Sequence, residues 1–433
     1  MAKFTKSRAN GDLPLADLLV TGIGQLCTLH VPALDIDGPR RGAGLAELGI
    51  QENAALAVAN GRVLLAGTEV EVLASCRQTD TTEQLDAAGR AVVPGFVDPH
   101  THAVFGKTRQ DEYERRIRGE TYLEIAAAGG GIHSSVRDLR QRTAAELIRL
   151  TVPRLREMLT HGTTCVEIKS GYGLSHADEV KMLRVAQQAG AEVGIRSVRT
   201  CLAAHEIPAE YRERRAEYVS LVTDTILPDV AARELASRCD VFCEPSVFDL
   251  EETETILRAA QGLGLTTTVH ADELEALGGA ELAVRLGADS ADHLIKIDGA
   301  GRAALAAADT VAVLLPGTVF SLGLRDYAPA RELIAAGAAV ALATDFNPGS
   351  CPILSVPLIQ AIACTQMRLT PAEALVATTL NAAWALGRQA EIGSLAPGKR
   401  ADFLLLDGDD YRLVPYHAGH NPVTAVYLGG RPV

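Results

Sequence analysis

Two histidines one residue apart, His100 and His102, follow an apolar run in the stretch VVPGFVDPHTH, residues 92–102. Alternate side chains of a β-strand point to the same face, so this spacing places two imidazoles side by side. Imidazole nitrogens are common ligands of zinc and iron, which makes the pair a candidate part of a metal site. Taken alone, the pattern fits two ordinary polar residues near a strand end better than a metal site, so its interpretation depends on further ligands.

Further polar side chains end later apolar runs: His270 in LTTTVHADE, His293 in ADSADHL and Asp345 in AAVALATDF. Three imidazoles and one carboxylate match the ligand types of a mononuclear zinc or iron site that keeps one position for water. The predicted ligands are His100, His102, His270 and Asp345. Such an ion would lower the pKa of the water towards neutrality and supply hydroxide at pH 7.

Glu273 and His293 remain for chemistry rather than coordination. In the stretch HADE, Glu273 lies three residues beyond His270, close enough to move a proton from the water to a leaving nitrogen. His293 and Asp345 are the other candidates for proton transfer. Each residue has an ordinary structural explanation, such as a histidine that caps a helix. Five such residues, His100, His102, His270, His293 and Asp345, at the same end of the predicted strands favour an active site.

These residues require a scaffold that brings the ends of several strands together. From residue 92 onward, helix-like segments alternate with eight short β-like runs: VVPGFVD, TTCVEIKSG, VGIRSVRT, CDVFCEP, LTTTVHADE, ADSADHL, TVAVLLP and AAVALATDF. Each run is apolar enough to be buried on both faces, as strands of parallel sheets are. The alternation predicts an α/β protein with a (β/α)8 barrel of the TIM type, whose active sites lie at the carboxyl ends of the strands.

Both ends of the chain have a different pattern. VLLAGTEVEVLA and the tail GSLAPGKRADFLLLDGDDYRLV indicate antiparallel strands. We expect the two ends to combine into one small β-sandwich domain beside the barrel. The predicted domains are residues 1–91 and 391–433 for the sandwich and residues 92–390 for the metal-dependent barrel.

Composition narrows the class of protein. The 433 residues include 41 lysines and arginines against 54 aspartates and glutamates, a net charge of −13 with no basic run. This balance argues against nucleic acid and acidic membranes as partners and leaves a small-molecule substrate. No stretch stays apolar for the roughly 20 residues of a membrane span, and the amino terminus lacks a secretion signal. Eight scattered cysteines are typical of a reducing compartment, so a cytoplasmic location is expected.

At this point the motifs can be compared with a known family. PGFVDPHTH, the single His, His and Asp positions at later strands, and GSLAPGKRADFLLLD resemble the amidohydrolase superfamily. Within it, the chain is similar to the imidazolonepropionase family in Arg109 and in the stretches GETYLEIAAAGGGI, VEIKSGYGL, DEVKMLRVA, AAHEIP, DVFCEP, HADEL, SADHL, LLPG and ATDFNPGS. The resemblance covers about residues 92 to 390 and extends weakly into both ends.

The resemblance implies hydrolytic opening of the cyclic amide 4-imidazolone-5-propanoate to N-formimidoyl-L-glutamate, with one Zn²⁺ or Fe³⁺ per subunit of a homodimer. It assigns catalysis to Glu273, His293 and Asp345. It assigns substrate contacts to Arg109, Tyr122, Tyr172, His205, Glu273, Asn347, Gly349 and Ser350. The chemistry of these side chains fits the implied substrate. The Arg109 guanidinium can bind the propanoate through two parallel hydrogen bonds, and His293 can polarise the ring carbonyl.

Several alternatives stay open. Arg109 lies in the charged run KTRQDEYERR and is equally consistent with a solvated loop residue, and Tyr172 with an aromatic packed on the barrel rim. Lys169 invites comparison with the carboxylated lysine that bridges two metals in other amidohydrolases. That lysine belongs at the fourth strand, where this chain has Glu244, so one metal is favoured over two.

Two other functions are compatible with the same residues. The segments FCEPSVF and LLPGTVFSLGL depart from the usual family pattern. Because they would line the pocket for the substrate ring, other ring substrates stay compatible with the sequence. The nearer alternative is a deaminase of an amino-substituted heterocycle on the same barrel. The other is a binding or assembly protein that kept the barrel and lost the chemistry, which the intact set of ligands disfavours.

Overall fold

The computed structural model describes residues 13–34, 38–120, 124–125 and 128–433. In these ranges the chain forms two sheets of eight strands each. The strands are, in chain order, β1 (Leu18–Cys27), β2 (Ile50–Ala59), β3 (Arg62–Thr68), β4 (Glu83–Asp86), β5 (Ala91–Pro94), β6 (Phe96–Asp98), β7 (Thr163–Lys169), β8 (Arg196–Ala204), β9 (Arg238–Cys243), β10 (Thr266–Ala271), β11 (Ser290–His293), β12 (Val311–Leu314), β13 (Val340–Leu342), β14 (Phe403–Leu406), β15 (Val423–Leu428) and β16 (Arg431–Pro432).

Helices connect the strands. They span Glu69–Ser75, Gln110–Ile117, Ile132–Gln141, Ala144–Thr160, His176–Val193, Arg215–Leu221, Leu227–Ala232, Leu250–Gly262, Gly279–Leu286, Gly299–Ala306, Pro316–Leu322, Ala330–Ala336, Val356–Gln366, Pro371–Ala377, Leu380–Ala385 and Leu413–Tyr416. Short 3-10 turns occupy Gly42–Ala46 and Ala209–Tyr211, and a π-helical turn occupies Val222–Ile226. None of the helices in the described ranges is both long enough and apolar enough to cross a lipid bilayer.

The helix ends follow from local sequence. Thr143 and Asp249 each begin a helix through a capping box with the glutamate three residues on, which satisfies backbone N–H groups of the first turn. Gly194 and Gly287 end helices in the left-handed conformation, with φ of 79° and 66°. Glycine therefore ends these helices where a left-handed residue is required.

The strands β6 to β13 form the barrel. Each is parallel to its neighbours and they follow one another in chain order. The ring closes where the Asp345 N–H donates to the His100 carbonyl over 3.0 Å and the His102 N–H donates to the Phe346 carbonyl over 2.8 Å. The predicted (β/α)8 barrel is confirmed, and its closure brings the His-x-His strand beside Asp345.

The run VVPGFVD, predicted as one barrel strand, is divided between the two sheets. Ala91–Pro94 pairs with β1 and β14 in the second sheet, whereas Phe96–Asp98 pairs with β7 in the barrel. Pro94 lacks the N–H that would continue a ladder. A Cβ added to Gly95 would lie 2.3 Å from the Thr164 hydroxyl oxygen, so only glycine fits where the chain passes to the barrel.

The second sheet combines both ends of the chain, as expected. Its order is β16-β15-β14-β5-β1-β2-β3, with β4 beside β1, so β14 joins the carboxyl end to β5 from the amino end. Leu56, Val92 and Phe403 share one buried apolar cluster on this sheet, and the rings of Phe403 and Tyr427 stack 4.5 Å apart. The small β domain therefore draws its core from residues more than 300 positions apart in sequence.

Candidate metal centre and active site

The predicted ligands meet at the carboxyl ends of the barrel strands. His100 and His102 follow β6, His270 lies in β10, and Asp345 follows β13. All four are buried. The Nε2 atoms of His100 and His102 lie 3.6 Å and 3.5 Å from Asp345 Oδ1. The ring centroids of His100 and His270 are 4.4 Å apart, so the four side chains converge on one small space.

The two histidines His100 and His270 are oriented from behind by carboxylates. His100 Nδ1 lies 2.7 Å from Asp292 Oδ2, and His270 Nδ1 lies 2.9 Å from Asp240 Oδ2. The hydrogen bond at His100 Nδ1 fixes the tautomer that leaves its Nε2 lone pair free for a metal. At His270 the nearby Asp240 carboxylate favours the same tautomer, although Nδ1 makes no aligned hydrogen bond within the part of the chain that the structure describes. Among the described residues, Nε2 of each ring is buried without a hydrogen-bond partner.

These features fit a zinc or iron ion. Ligand atoms of His100, His102 and Asp345 lie within 4.8 Å of one another, as do those of His100, His270 and His293. Burial, together with Lys169 for His100 and His205 for His102, holds the pKa of these two imidazoles well below the usual range, which keeps them neutral and able to coordinate. At His270 burial opposes protonation, but the nearby Asp240 raises the pKa.

Backbone strain concentrates at this end of the barrel. Asp272, His293 and Asp345 have φ of 51°, 74° and 53°, a region that side-chain-bearing residues rarely adopt. Asp345 is held in place by its backbone bond to His100 and by a hydrogen bond from the Thr318 hydroxyl to its carboxylate. Strain of this kind is typical of functional sites, where surrounding contacts impose the conformation.

Glu273 lies beside the candidate ligands. Its Oε1 is 3.5 Å from His293 Nδ1. Burial and the neighbouring Asp345 raise the pKa of this carboxyl to about 8, as suits a group that exchanges protons near neutral pH. Glu244, which follows β9, the fourth strand of the barrel, accepts hydrogen bonds from the backbone N–H groups of Glu273 (2.7 Å) and Leu274 (3.0 Å). Glu244 therefore holds the loop of Glu273, a role that sequence reasoning missed.

Arg109 is half-buried and immediately precedes the helix Gln110–Ile117, with most of its guanidinium shielded from solvent. Its Nη2 is 2.6 Å from Glu112 Oε2, and the two side chains are 8% and 11% exposed. Its Nε is buried without a hydrogen-bond partner among the described residues. A Cβ on Gly349 would lie 2.2 Å from Arg109 Nη1, so the guanidinium packs against the loop that follows Asp345. The prediction that Arg109 is an anchor near the metal ligands is compatible with this placement.

Asn347 organises the same loop. Its Oδ1 accepts hydrogen bonds from the Gly349 N–H (2.8 Å) and the Ser350 N–H (2.7 Å). Its Nδ2 donates to the Asp345 carbonyl over 2.7 Å and to the Ser350 hydroxyl over 2.9 Å. The amide, expected to contact the substrate, forms these hydrogen bonds within the loop and links Ser350 to Asp345.

His205 and Tyr172 form an aromatic wall beside His102. The rings of His205 and His102 stack at 4.9 Å, and the Tyr172 ring lies 5.4 Å from His205. His205 Nδ1 donates to the Gly171 carbonyl over 3.0 Å, which leaves Nε2 as an acceptor. Burial, followed by the neighbouring His270, lowers the pKa of His205 to about 3. Tyr122, the remaining predicted contact, lies outside the described residues.

A buried ion cluster behind the histidines was not foreseen. It consists of Lys169, Glu167, Asp240 and Asp292, none of whose side chains is more than 1% exposed. The two aspartates interrupt the apolar runs CDVFC and SADHL. Charged residues inside a buried strand require partners on a neighbouring strand, and that signal was present in the sequence.

Comparison with known proteins agrees with the fold. Residues 91–433 match the amidohydrolase family. An imidazolonepropionase from Symbiobacterium thermophilum is 47% identical over 416 residues, which cover 96% of this chain and 96% of that protein. An imidazolonepropionase from Solibacter usitatus is 47% identical over 419 residues, which cover 97% of this chain and 99% of that protein.

Solved structures show the same architecture at lower identity. An adenosine deaminase from Xanthomonas campestris with bound zinc has a TM-score of 0.71 at 20% identity, covering 97% of this chain and 93% of that chain. Guanine deaminase from E. coli has a TM-score of 0.69 at 16% identity, covering 96% and 98%. Identities this low establish the fold alone. The family match and the full-length similarity together show that the chain belongs to the amidohydrolase family and, within it, to the imidazolonepropionases.

Proposed function

We propose that the protein hydrolyses the cyclic amide of 4-imidazolone-5-propanoate to N-formimidoyl-L-glutamate. One observation carries the proposal: His100, His102 and Asp345 cluster at the mouth of the barrel with His270 beside His100, and relatives named imidazolonepropionase match the chain at full length. In the reaction, water adds to the ring carbonyl carbon, the carbon–nitrogen bond breaks, and the leaving ring nitrogen takes a proton. The water oxygen ends in the new carboxylate.

The proposed cofactor is a single Zn²⁺ or Fe³⁺ ion per subunit. His100, His102, His270 and Asp345 would hold it. When bound, such an ion acts as a Lewis acid and lowers the pKa of water towards neutrality. We also propose a cytoplasmic location, in keeping with the free state of the eight cysteines, seven of which are buried. A homodimer is proposed from the family resemblance.

The proton transfers are assigned to Glu273. Burial raises the pKa of its carboxyl in the metal-free protein to about 8, which favours a group that accepts and releases protons rather than a permanent carboxylate. His293 lies close to Glu273 and is assigned to the substrate carbonyl. Burial, followed by His270, keeps the pKa of His293 well below its usual range, so the neutral ring polarises the oxygen as charge develops.

Substrate orientation is assigned to the surrounding loops. Arg109 has donors to spare beyond its bond to Glu112 and would bind the propanoate. Tyr172 and His205 present ring faces and edges beside His102, where a flat heterocycle would pack. Asn347 fixes Gly349 and Ser350 next to Arg109 and so shapes the same end of the pocket.

The test is incubation of the metal-loaded protein with freshly generated imidazolonepropanoate while its ultraviolet absorbance is followed. Mass spectrometry should find N-formimidoyl-glutamate in step with the loss of absorbance. Adenine, guanine and cytosine serve as controls for a deaminase on the same barrel. Ammonia release from one of these amines, with imidazolonepropanoate left intact, would replace the proposal with the deaminase alternative.

A further inference from the structure

Lys169 is a fully buried cation at the end of β7. Its Nζ lies 2.8 Å from Glu167 Oε1, 2.8 Å from Asp240 Oδ2 and 3.8 Å from Asp292 Oδ2. Burying an ammonium group is unfavourable unless partners replace its water. The established barrel fold does not itself require a charge there, since most inward positions of such barrels carry apolar residues.

The carboxylates around Lys169 are the ones that contact the candidate ligands. Asp240 Oδ2 is 2.8 Å from Lys169 Nζ and 2.9 Å from His270 Nδ1. Asp292 Oδ2 is 2.7 Å from His100 Nδ1 and faces the same ammonium. One cation therefore connects two carboxylate–histidine pairs from opposite parts of the barrel.

We propose that Lys169 is a positioning residue of the metal centre, which holds Asp240 and Asp292 so that Nε2 of His100 and His270 point to one ion. Lys169 itself does not touch the ion. The carboxylate–histidine contact fixes the tautomer and the ring orientation, and the ammonium fixes the carboxylates. This inference rests on the proposed metal-dependent function.

A positioning role and simple electrostatics predict opposite changes in metal affinity when Lys169 is removed. Without Lys169 the cluster keeps three carboxylates, and Coulomb attraction alone would then bind a cation more tightly. If the lysine acts by holding Asp240 and Asp292, its loss lets both side chains turn and weakens binding. Loss of such an outer contact typically costs 10- to 100-fold in metal affinity.

The measurement is Zn²⁺ affinity of the metal-free full-length protein, by competition with a chromogenic chelator. Lys169→Met should raise the Kd for Zn²⁺ about 10- to 100-fold. Lys181→Met is the matched control, because Lys181 Nζ also contacts a carboxylate, Asp178 Oδ1 at 2.7 Å, but lies on a helix outside the barrel. This control should bind Zn²⁺ like the unaltered protein.

Lys169→Met alone leaves three buried carboxylates without a cation, which can prevent folding. The double variant Glu167→Gln with Lys169→Met is therefore tested beside it. It keeps the net charge of the ion cluster, and glutamine retains an acceptor for the Thr101 N–H that Glu167 now binds at 3.3 Å. The folded double variant should still bind Zn²⁺ weakly. Loaded with Co²⁺ at saturating concentration, it should show visible absorption bands that differ from those of the unaltered protein, because two ligand rings are no longer fixed.

Unchanged or tighter Zn²⁺ binding in either variant, or an unchanged Co²⁺ spectrum in the folded double variant, would overturn the inference. Failure of the proposed function looks different. In that case the unaltered protein itself would bind Zn²⁺ only weakly or would leave imidazolonepropanoate intact, whatever residue 169 is.

Discussion

Substitutions at Arg109 can show whether this residue binds the carboxylate of the substrate or only stabilises the fold. The guanidinium makes a 2.6 Å bond to Glu112, whose carboxylate oxygens also accept from the Gly131 N–H at 3.2 Å. Arg109→Ala therefore removes the proposed substrate anchor and also leaves a negative charge buried beside it. Breaking a buried pair in this way costs about 3–5 kcal/mol of stability. The second substitution Glu112→Gln removes that charge.

The expected fall in kcat/KM follows from the hydrogen bonds that Arg109 would make to the substrate carboxylate. Charge-assisted hydrogen bonds contribute roughly 1.5–3 kcal/mol, which corresponds to a fall of about one to two orders of magnitude in kcat/KM. Arg109→Ala with Glu112→Gln should recover most of the lost stability but little of the lost kcat/KM. Arg109→Lys should recover part of the activity, because lysine supplies the charge without the planar fork.

The assay compares two substrates. Each variant is measured on imidazolonepropanoate and on an analogue whose carboxylate is replaced by a neutral amide, with urea unfolding as the stability readout. The loss in kcat/KM should be confined to the acid. An equal loss on the acid and the amide, in the double variant as well as in Arg109→Ala, would show that Arg109 does not bind the carboxylate.

Three further outcomes follow from the site. His270→Ala should lose metal and activity together, measured by elemental analysis against about one equivalent per unaltered chain, and two equivalents in that chain would contradict a mononuclear site. Glu273→Gln should keep its metal and lose about 10²-fold or more in kcat, whereas near-normal turnover would shift the proton transfer to His293 or Asp345. Burial raises the pKa of Glu273 to about 8, so the folded metal-free protein keeps a proton that the unfolded chain releases above its ordinary value of 4.5. This carboxyl therefore lowers the free energy of unfolding by about 1.4 kcal/mol per pH unit as pH rises between those values. Urea unfolding at about pH 5.5 and 7.5 should show a smaller loss in Glu273→Gln than in the unaltered metal-free protein, because Asp98 and Asp345, whose pKa values burial raises to about 7 and about 6, still contribute in both; equal slopes would contradict it.

The barrel could be predicted because its strands are short apolar runs buried on both faces. TTCVEIK became β7 and LTTTVHA became β10, with His270 at the predicted strand end. The division of VVPGFVD could not be predicted in the same way. Apolar strands of the two sheets look alike in sequence, and the partner of Ala91–Pro94 lies at Phe403–Leu406, more than 300 residues away.

The candidate site was predictable where single residues end strands, and less so where residues act in pairs. His100, His102 and Asp345 could be named from position alone. The contacts of Asp240 and Asp292 depend on which strands are neighbours and on which way each ring turns, and a linear pattern contains neither. The ion pair between Arg109 and Glu112 could have been predicted, because a glutamate three residues after an arginine at the start of a helix lies within reach of it.

The direct passage from β5 to β6 through Gly95 has a consequence for biosynthesis. β5 is hydrogen-bonded to β14, and the strand that carries His100 closes the barrel against Phe346. At about 5–20 residues per second, Phe346 is translated roughly 12 to 50 s after the histidines and β14 roughly 15 to 60 s after them. During that interval the nascent chain exposes open sheet edges, which makes it a substrate for chaperones. The candidate metal site is therefore incomplete until Asp345 has been translated.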